Sequence, residues 1–168
     1  MATGKRVWDL GINAKAYFYP YDVATSPEDP VDLDFTQHFI VTTGDDTAEL
    51  KNVKDVSCSF SVANTDITTR ASRGWRGKAS TLKEASVSFK MRWSGSDAGY
   101  AALRNSWLHS TMIGLGFLTG AHDIETADSE GPIGYWVVTD FSRDENLEEA
   151  IMINVTVELA QFGYWFGE

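Results

Sequence analysis

The chain has 168 residues, 43% of them hydrophobic, which is enough for one domain with its own core and too apolar for an intrinsically disordered chain. Its formal net charge of −10 repels phosphate backbones and disfavours sequence-specific DNA binding. The single cysteine, Cys58, excludes an internal disulfide, and no apolar run approaches the length of a membrane span.

Residues 1–13 read as an arm, with no long apolar stretch after Lys5 and Arg6 to make a signal peptide. A first strand is expected over residues 14–21, carrying Tyr17, Phe18 and Tyr19 and ending at Pro20. Residues 22–34 hold Pro27, Pro30 and five acidic side chains: Asp22, Glu28, Asp29, Asp32 and Asp34. Proline removes backbone donors and clustered carboxylates resist burial, so a long loop is expected over 22–48, with a short strand at 39–43 inside it. Loops of that length are often functional.

Two strands follow from period-2 alternation. Over residues 55–64, Val56, Cys58, Phe60 and Val62 share a face, opposite Ser57, Ser59 and Ser61. Over 83–93, Ala85, Val87, Phe89, Met91 and Trp93 share one face, opposite Glu84, Ser86, Ser88, Lys90 and Arg92. Both patterns predict half-buried antiparallel strands with one wet face, and Cys58 is expected to be a buried structural thiol.

A helix is expected from an N-cap at Ser96, with Asp97 in its first turn, to about His109; Tyr100, Leu103 and Trp107 recur at helical spacing and Gly99 weakens it slightly. Residues 111–118 are apolar on both faces and predict an interior strand, with Gly114 and Gly116 marking close backbone approach. Residues 135–141 predict another. Ile151, Ile153, Val155, Val157 and Leu159 then alternate with Met152, Asn154, Thr156 and Glu158 as a last strand. Residues 161–168, with Phe162, Tyr164, Trp165 and Phe166, are read as a C-terminal arm that docks on something else. Strands, one helix, then more strands predict a mainly β single domain, a β-sandwich or open barrel with one packed α-helix.

Catalytic chemistry is hard to find. His122 and Asp123 share a polar loop with Glu125 and Asp128, but nothing shows the convergence from several elements that a metal site needs. Gly114, Gly116 and Gly120 lack the spacing of a nucleotide-binding loop. No Gly-x-Ser-x-Gly elbow occurs, and the carboxylates cluster in loops rather than in apolar settings. The reading is therefore no enzyme, no cofactor and no metal. The one dense positive stretch is 70–78, with Arg70, Arg73, Arg76 and Lys78 around Trp75. A basic and an acidic loop on one chain invite head-to-tail pairing between copies.

The same region carries a family resemblance. Asp66-Ile67-Thr68-Thr69, then Gly74-Trp75, then the alternating Ala85-Ser86-Val87-Ser88-Phe89, resemble the major tail tube proteins of long-tailed, siphovirus-like bacteriophages. The helix and the later strands follow in the family's order, so the resemblance spans residues 49–160. It implies a structural virion protein whose subunits form hexameric rings stacked into a hollow tail tube. Double-stranded DNA would pass through the lumen without sequence recognition, beside a tape-measure protein. Assembly in the host cytoplasm, no membrane and no cofactor go with it. Within that reading, Asp22, Glu28, Asp29, Asp32 and Asp34 are expected at ring-to-ring contacts, with Arg70, Arg73, Arg76 and Lys78 as their complement. Phe162, Tyr164, Trp165 and Phe166 are expected to dock on a neighbour. Two alternatives stand beside it: a monomeric β-sandwich module that stacks carbohydrate on its tryptophans, and the tube protein of a contractile secretion system.

Overall fold

The alternating segments become strands of a single sheet. The computed structural model describes residues 14–20, 49–120 and 129–167. The arm 1–13, the long loop with the short strand at 39–43, and the polar loop of His122 and Asp123 lie outside the described residues. In chain order the elements are β1 (Lys15–Pro20), β2 (Val53–Asp66), β3 (Lys78–Arg92), α1 (Ala98–His109), β4 (Ile113–Leu118), β5 (Gly131–Asp144) and β6 (Met152–Phe166). The strands pair in the order β1-β4-β5-β6-β3-β2, antiparallel throughout.

The registers separate two faces, because residues directly opposite each other point the same way. One face collects Phe18, Ile113, Leu115, Trp136, Val138, Ile153, Val155, Val157, Val87, Phe89 and Met91, all buried in one cluster with Leu103 of α1. The helix lies over this face, against β5, β1 and β4. The sheet curls around it: Phe89 of β3 and Phe117 of β4 approach to 5.9 Å between ring centroids although two strands separate them. Residues 49–52 span the remaining gap. The Leu50 N–H donates to the Ala16 carbonyl on β1, and the Asn52 carbonyl accepts from the Arg92 N–H on β3. The result is the open barrel with one packed helix.

Local chemistry fixes α1. Its N-cap is Asp97, one residue later than expected from Ser96. The Asp97 carboxylate accepts the Gly99 N–H at 3.0 Å and the Asn52 amide at 2.8 Å, so the cap also ties the helix to the gap-closing segment. Ser110 ends the helix in the left-handed conformation, with its N–H and that of Thr111 returned to carbonyls of the last turn. Gly99 has a positive reason to be glycine: a Cβ there would run into the Leu50 side chain, itself buried.

Two expectations need correction. Residues 161–166 are not an arm after the last strand; they continue β6, and β5 pairs with them as far as Gly131 opposite Phe166. Tyr164 and Phe166 pack on Tyr17, Leu118 and Ile133 of their own chain, a small second core on the opposite face. Register shifts at Ile133/Gly134 and Tyr135/Trp136 break the alternation that would have marked this half as strand. Secondly, β2 is not half-buried. Every residue after Val53 is exposed, Cys58 included, because β2 is the last strand of the sheet and, among the described residues, its faces meet little beyond Trp165 against Phe60. Neighbouring groups still crowd the Cys58 thiol enough to push its pKa up.

Candidate functional site

The unusual surface of this molecule is the hairpin of β2 and β3. β6 pairs with β3 only from Ser86 to Arg92, so, among the described residues, positions 78–85 of β3 have β2 as their sole strand partner. The distal hairpin is thus a two-stranded ribbon leaving the sheet. Phe60, Val62 and Leu82 are exposed on it, although Phe60 has one apolar neighbour, Trp165 of β6, at 5.7 Å between ring centroids. A two-stranded ribbon alone is marginal in water, and apolar side chains on an open edge strand invite pairing. Two irregularities interrupt the ribbon's edges. The Thr81 hydroxyl donates to the Ala63 carbonyl at the register shift between Val62 and Asn64, and Asp55, at φ 55°, forms a bulge near the base.

The ribbon ends in an ordered basic tip. The Ile67 N–H donates to the Gly77 carbonyl, and the Gly77 N–H donates to the Thr68 hydroxyl at 3.0 Å. Thr69 and Ser72 cap a single 3-10 turn, Arg70–Ser72, reciprocally. Arg73 and Gly74 both take positive φ to turn the chain back, at 50° and 85°. The Thr68 hydroxyl and then its N–H hold the Asp66 carboxyl below the ordinary aspartate range. This scaffold presents Trp75 with 81% of its surface in solvent. Arg70, Arg73, Arg76 and Lys78 around it are exposed and make no ion pair with another described residue.

At the other end of the same strands sits an acidic turn. The Trp93 N–H, just past β3, donates to the Ile151 carbonyl, which places residues 145–151 beside the end of β3 farthest from Trp75. Asp144, Glu145, Glu148 and Glu149 lie here, all exposed, around a fully exposed Leu147. Glu145 binds Arg143 at 2.7 Å, and the Glu149 carboxylate accepts the Asn146 amide at 3.3 Å.

Across β2, β3, β6 and the second half of β5 the face of the sheet opposite α1 is polar, apart from the small second core at its other end. Ser57, Ser88, Thr156 and Asp140 form one row across β2, β3, β6 and β5, and Ser59, Ser86, Glu158 and Val137 form the next. A third row holds Lys54, Lys90, Asn154 and Ser142. The Glu84–Arg92 face of β3, mixed in charge, lies on the side that no described helix covers.

Of the residues expected at contacts, Arg70, Arg73, Arg76 and Lys78 come together at the tip, whereas Asp22, Glu28, Asp29, Asp32 and Asp34 lie outside the described residues. Of the expected docking aromatics, Phe162 is exposed, while Tyr164, Trp165 and Phe166 are partly covered by their own chain. The acidic turn was not singled out from sequence as a contact, although the carboxylates at 144–149 were its signal. Among the described residues, no group of three or more His, Cys, Asp or Glu side chains is placed to hold a metal ion, and no helix is long and apolar enough to cross a membrane.

No protein-family model matches the sequence, and no curated protein matches it. Solved structures do match in fold. A chain of the SPP1 tail tube, determined by solid-state NMR and cryo EM, superposes with a TM-score of 0.61 at 13% identity, covering 93% of this chain and 80% of that one. A chain from the virion of a native gene transfer agent particle gives 0.59 at 12% identity, covering 94% and 97%. A chain from the tail of an empty gene transfer agent particle, determined with C6 helical symmetry, gives 0.54 at 15%, covering 68% and 80%. At these identities the likeness is one of fold, and it is the fold that the resemblance at residues 62–89 led us to expect.

Proposed function

We propose that this chain is the structural subunit of a tail tube, assembling with copies of itself into stacked hexameric rings through which double-stranded DNA passes. The observation that carries this reading is the bare β2–β3 ribbon on a fold shared with chains of tail tubes. Among the described residues it has an unpaired outer edge, exposed apolar side chains and an ordered tip, the features that pairing with a second copy would use. Joining the β2 edge of one copy to a neighbour satisfies the open backbone groups and covers Val56, Cys58, Phe60 and Val62. The helix side then faces outward and the serine- and threonine-rich rows line the lumen. Short polar side chains of both charge signs give passing DNA no strong foothold, and the overall acidity of the chain repels it.

In this reading the loop of Asp22, Glu28, Asp29, Asp32 and Asp34 reaches an adjacent ring, exposed Phe162 meets a neighbour, and a tape-measure protein occupies the lumen during assembly in the host cytoplasm. No catalytic step and no cofactor enter. The test is direct. Concentrated purified protein is expected to form rods of constant diameter in negative-stain micrographs, with six-fold averages in end views. A particle that sediments as a monomer at all concentrations overturns the reading. Removal of residues 22–34 is expected to leave rings or monomers; full-length tubes from that deletion refute the role given to the loop alone.

A further inference from the structure

The basic tip and the acidic turn lie at opposite ends of one strand, β3. β3 runs from Lys78 at the tip to Arg92, and Arg92 pairs with Met152 beside the acidic turn. At the usual rise per residue, its 15 residues separate the two ends by roughly 45–50 Å. The charge at each end is of one prevailing sign. Four cations, Arg70, Arg73, Arg76 and Lys78, stand against Asp66 at the tip. Four carboxylates, Asp144, Glu145, Glu148 and Glu149, stand against Arg143 at the turn. Each end also carries one large apolar side chain at its centre, Trp75 at one and Leu147 at the other, both nearly bare. An apolar anchor ringed by charge is how a small, energetically focused interface is built, and opposite signs on the two rings make the pair complementary.

We infer that the β2–β3 tip of one copy docks on the β5–β6 turn of the copy in the next ring, with Trp75 against Leu147 and Arg73 and Arg76 facing Glu148 and Glu149. The contact is heterologous: unlike surfaces meet, and the unused end of each copy remains available. The inference rests on the tube reading, and it gives the basic tip a partner within the described residues, distinct from the loop 22–34.

Charge reversal in the full-length chain tests it. Wild-type protein is first shown to form tubes, which separates failure of the tube reading from failure of this contact. Glu148→Arg/Glu149→Arg and, separately, Arg73→Glu/Arg76→Glu are each expected to reduce pelleted tube mass by about tenfold or more, the scale set by close charge pairs turned repulsive. Combining all four changes is expected to restore tubes. These side chains are exposed, and an unchanged far-ultraviolet circular dichroism spectrum checks the fold of each variant. Folded single-end variants that still form wild-type amounts of tube, or a four-fold variant that is not restored, overturn the inference. A second measurement stands apart from charge. In a Cys58→Ser background, Trp75→Cys and Leu147→Cys are expected to give interchain disulfides in oxidised tubes when both are present, and not when either is present alone. No crosslink in well-formed tubes of the doubly substituted chain also overturns it.

Discussion

β4 and β2 belong to the same sheet and meet opposite surroundings. All six residues of β4 are buried, between β1 and β5 and under α1, while all of β2 beyond Val53 is exposed. Their sequences announce only part of that difference: β4 is apolar on both faces, while in β2 Cys58, Phe60 and Val62 alternate with serines and predict one dry face that the structure leaves exposed. The difference is one of cover. β4 takes its cover from its own chain, and among the described residues β2 is left bare. Alternation reports which face of a strand will be dry; it does not report whose atoms will dry it.

That contrast can be broken or sharpened by experiment. The largest effect belongs to the covered half. Trp136 is fully buried, stacks edge-on against Phe117 and donates its indole N–H to the Leu115 carbonyl at 3.1 Å. Trp136→Ala is expected to destabilise the monomer by about 3–5 kcal/mol in urea denaturation, through the cavity and the lost indole hydrogen bond. A smaller loss is expected at the cover's anchor. Asp97→Ala removes the N-cap of α1 and its tie to Asn52, for about 1–2 kcal/mol in the same measurement. The smallest change in monomer stability belongs to the bare half. Leu82→Ser, at a position 73% exposed, is expected to shift it by no more than about 0.5 kcal/mol. Its effect is expected to appear instead as a raised protein concentration at the onset of tube formation, read by light scattering. A large loss of monomer stability from Leu82→Ser would mean that the ribbon is already covered within one chain.

Much of the fold was legible because one face of each long strand is dry and the other wet. β3 and the first half of β6 showed it through Val87, Phe89 and Met91 and through Ile153, Val155 and Val157, all of them buried. The helix was legible from its spacing and its acidic start, with an error of one residue at the cap. What could not be read has physical reasons. Residues 161–166 lost their period to register shifts, and the first residues of β5, Gly131 to Gly134, look like a turn by composition yet pair with Trp165 and its neighbours. Cys58 was misplaced because its pattern marks a face that no element among the described residues buries. The basic tip was visible as a run of charge around Trp75, and the structure adds the hydrogen-bonded scaffold that holds it out. The acidic turn gained its meaning only when the pairing of β3 with β6 placed it at the far end of the same rods.

Unlike ends have a consequence for growth. When a plug on one block enters the socket of the next, the stack still ends in a plug above and a socket below, identical to those it began with. Such a polymer is directional, and nothing in its own chemistry tells it when to stop. If copies stack as inferred above, a defined finished length would have to be set by a ruler that is not this chain.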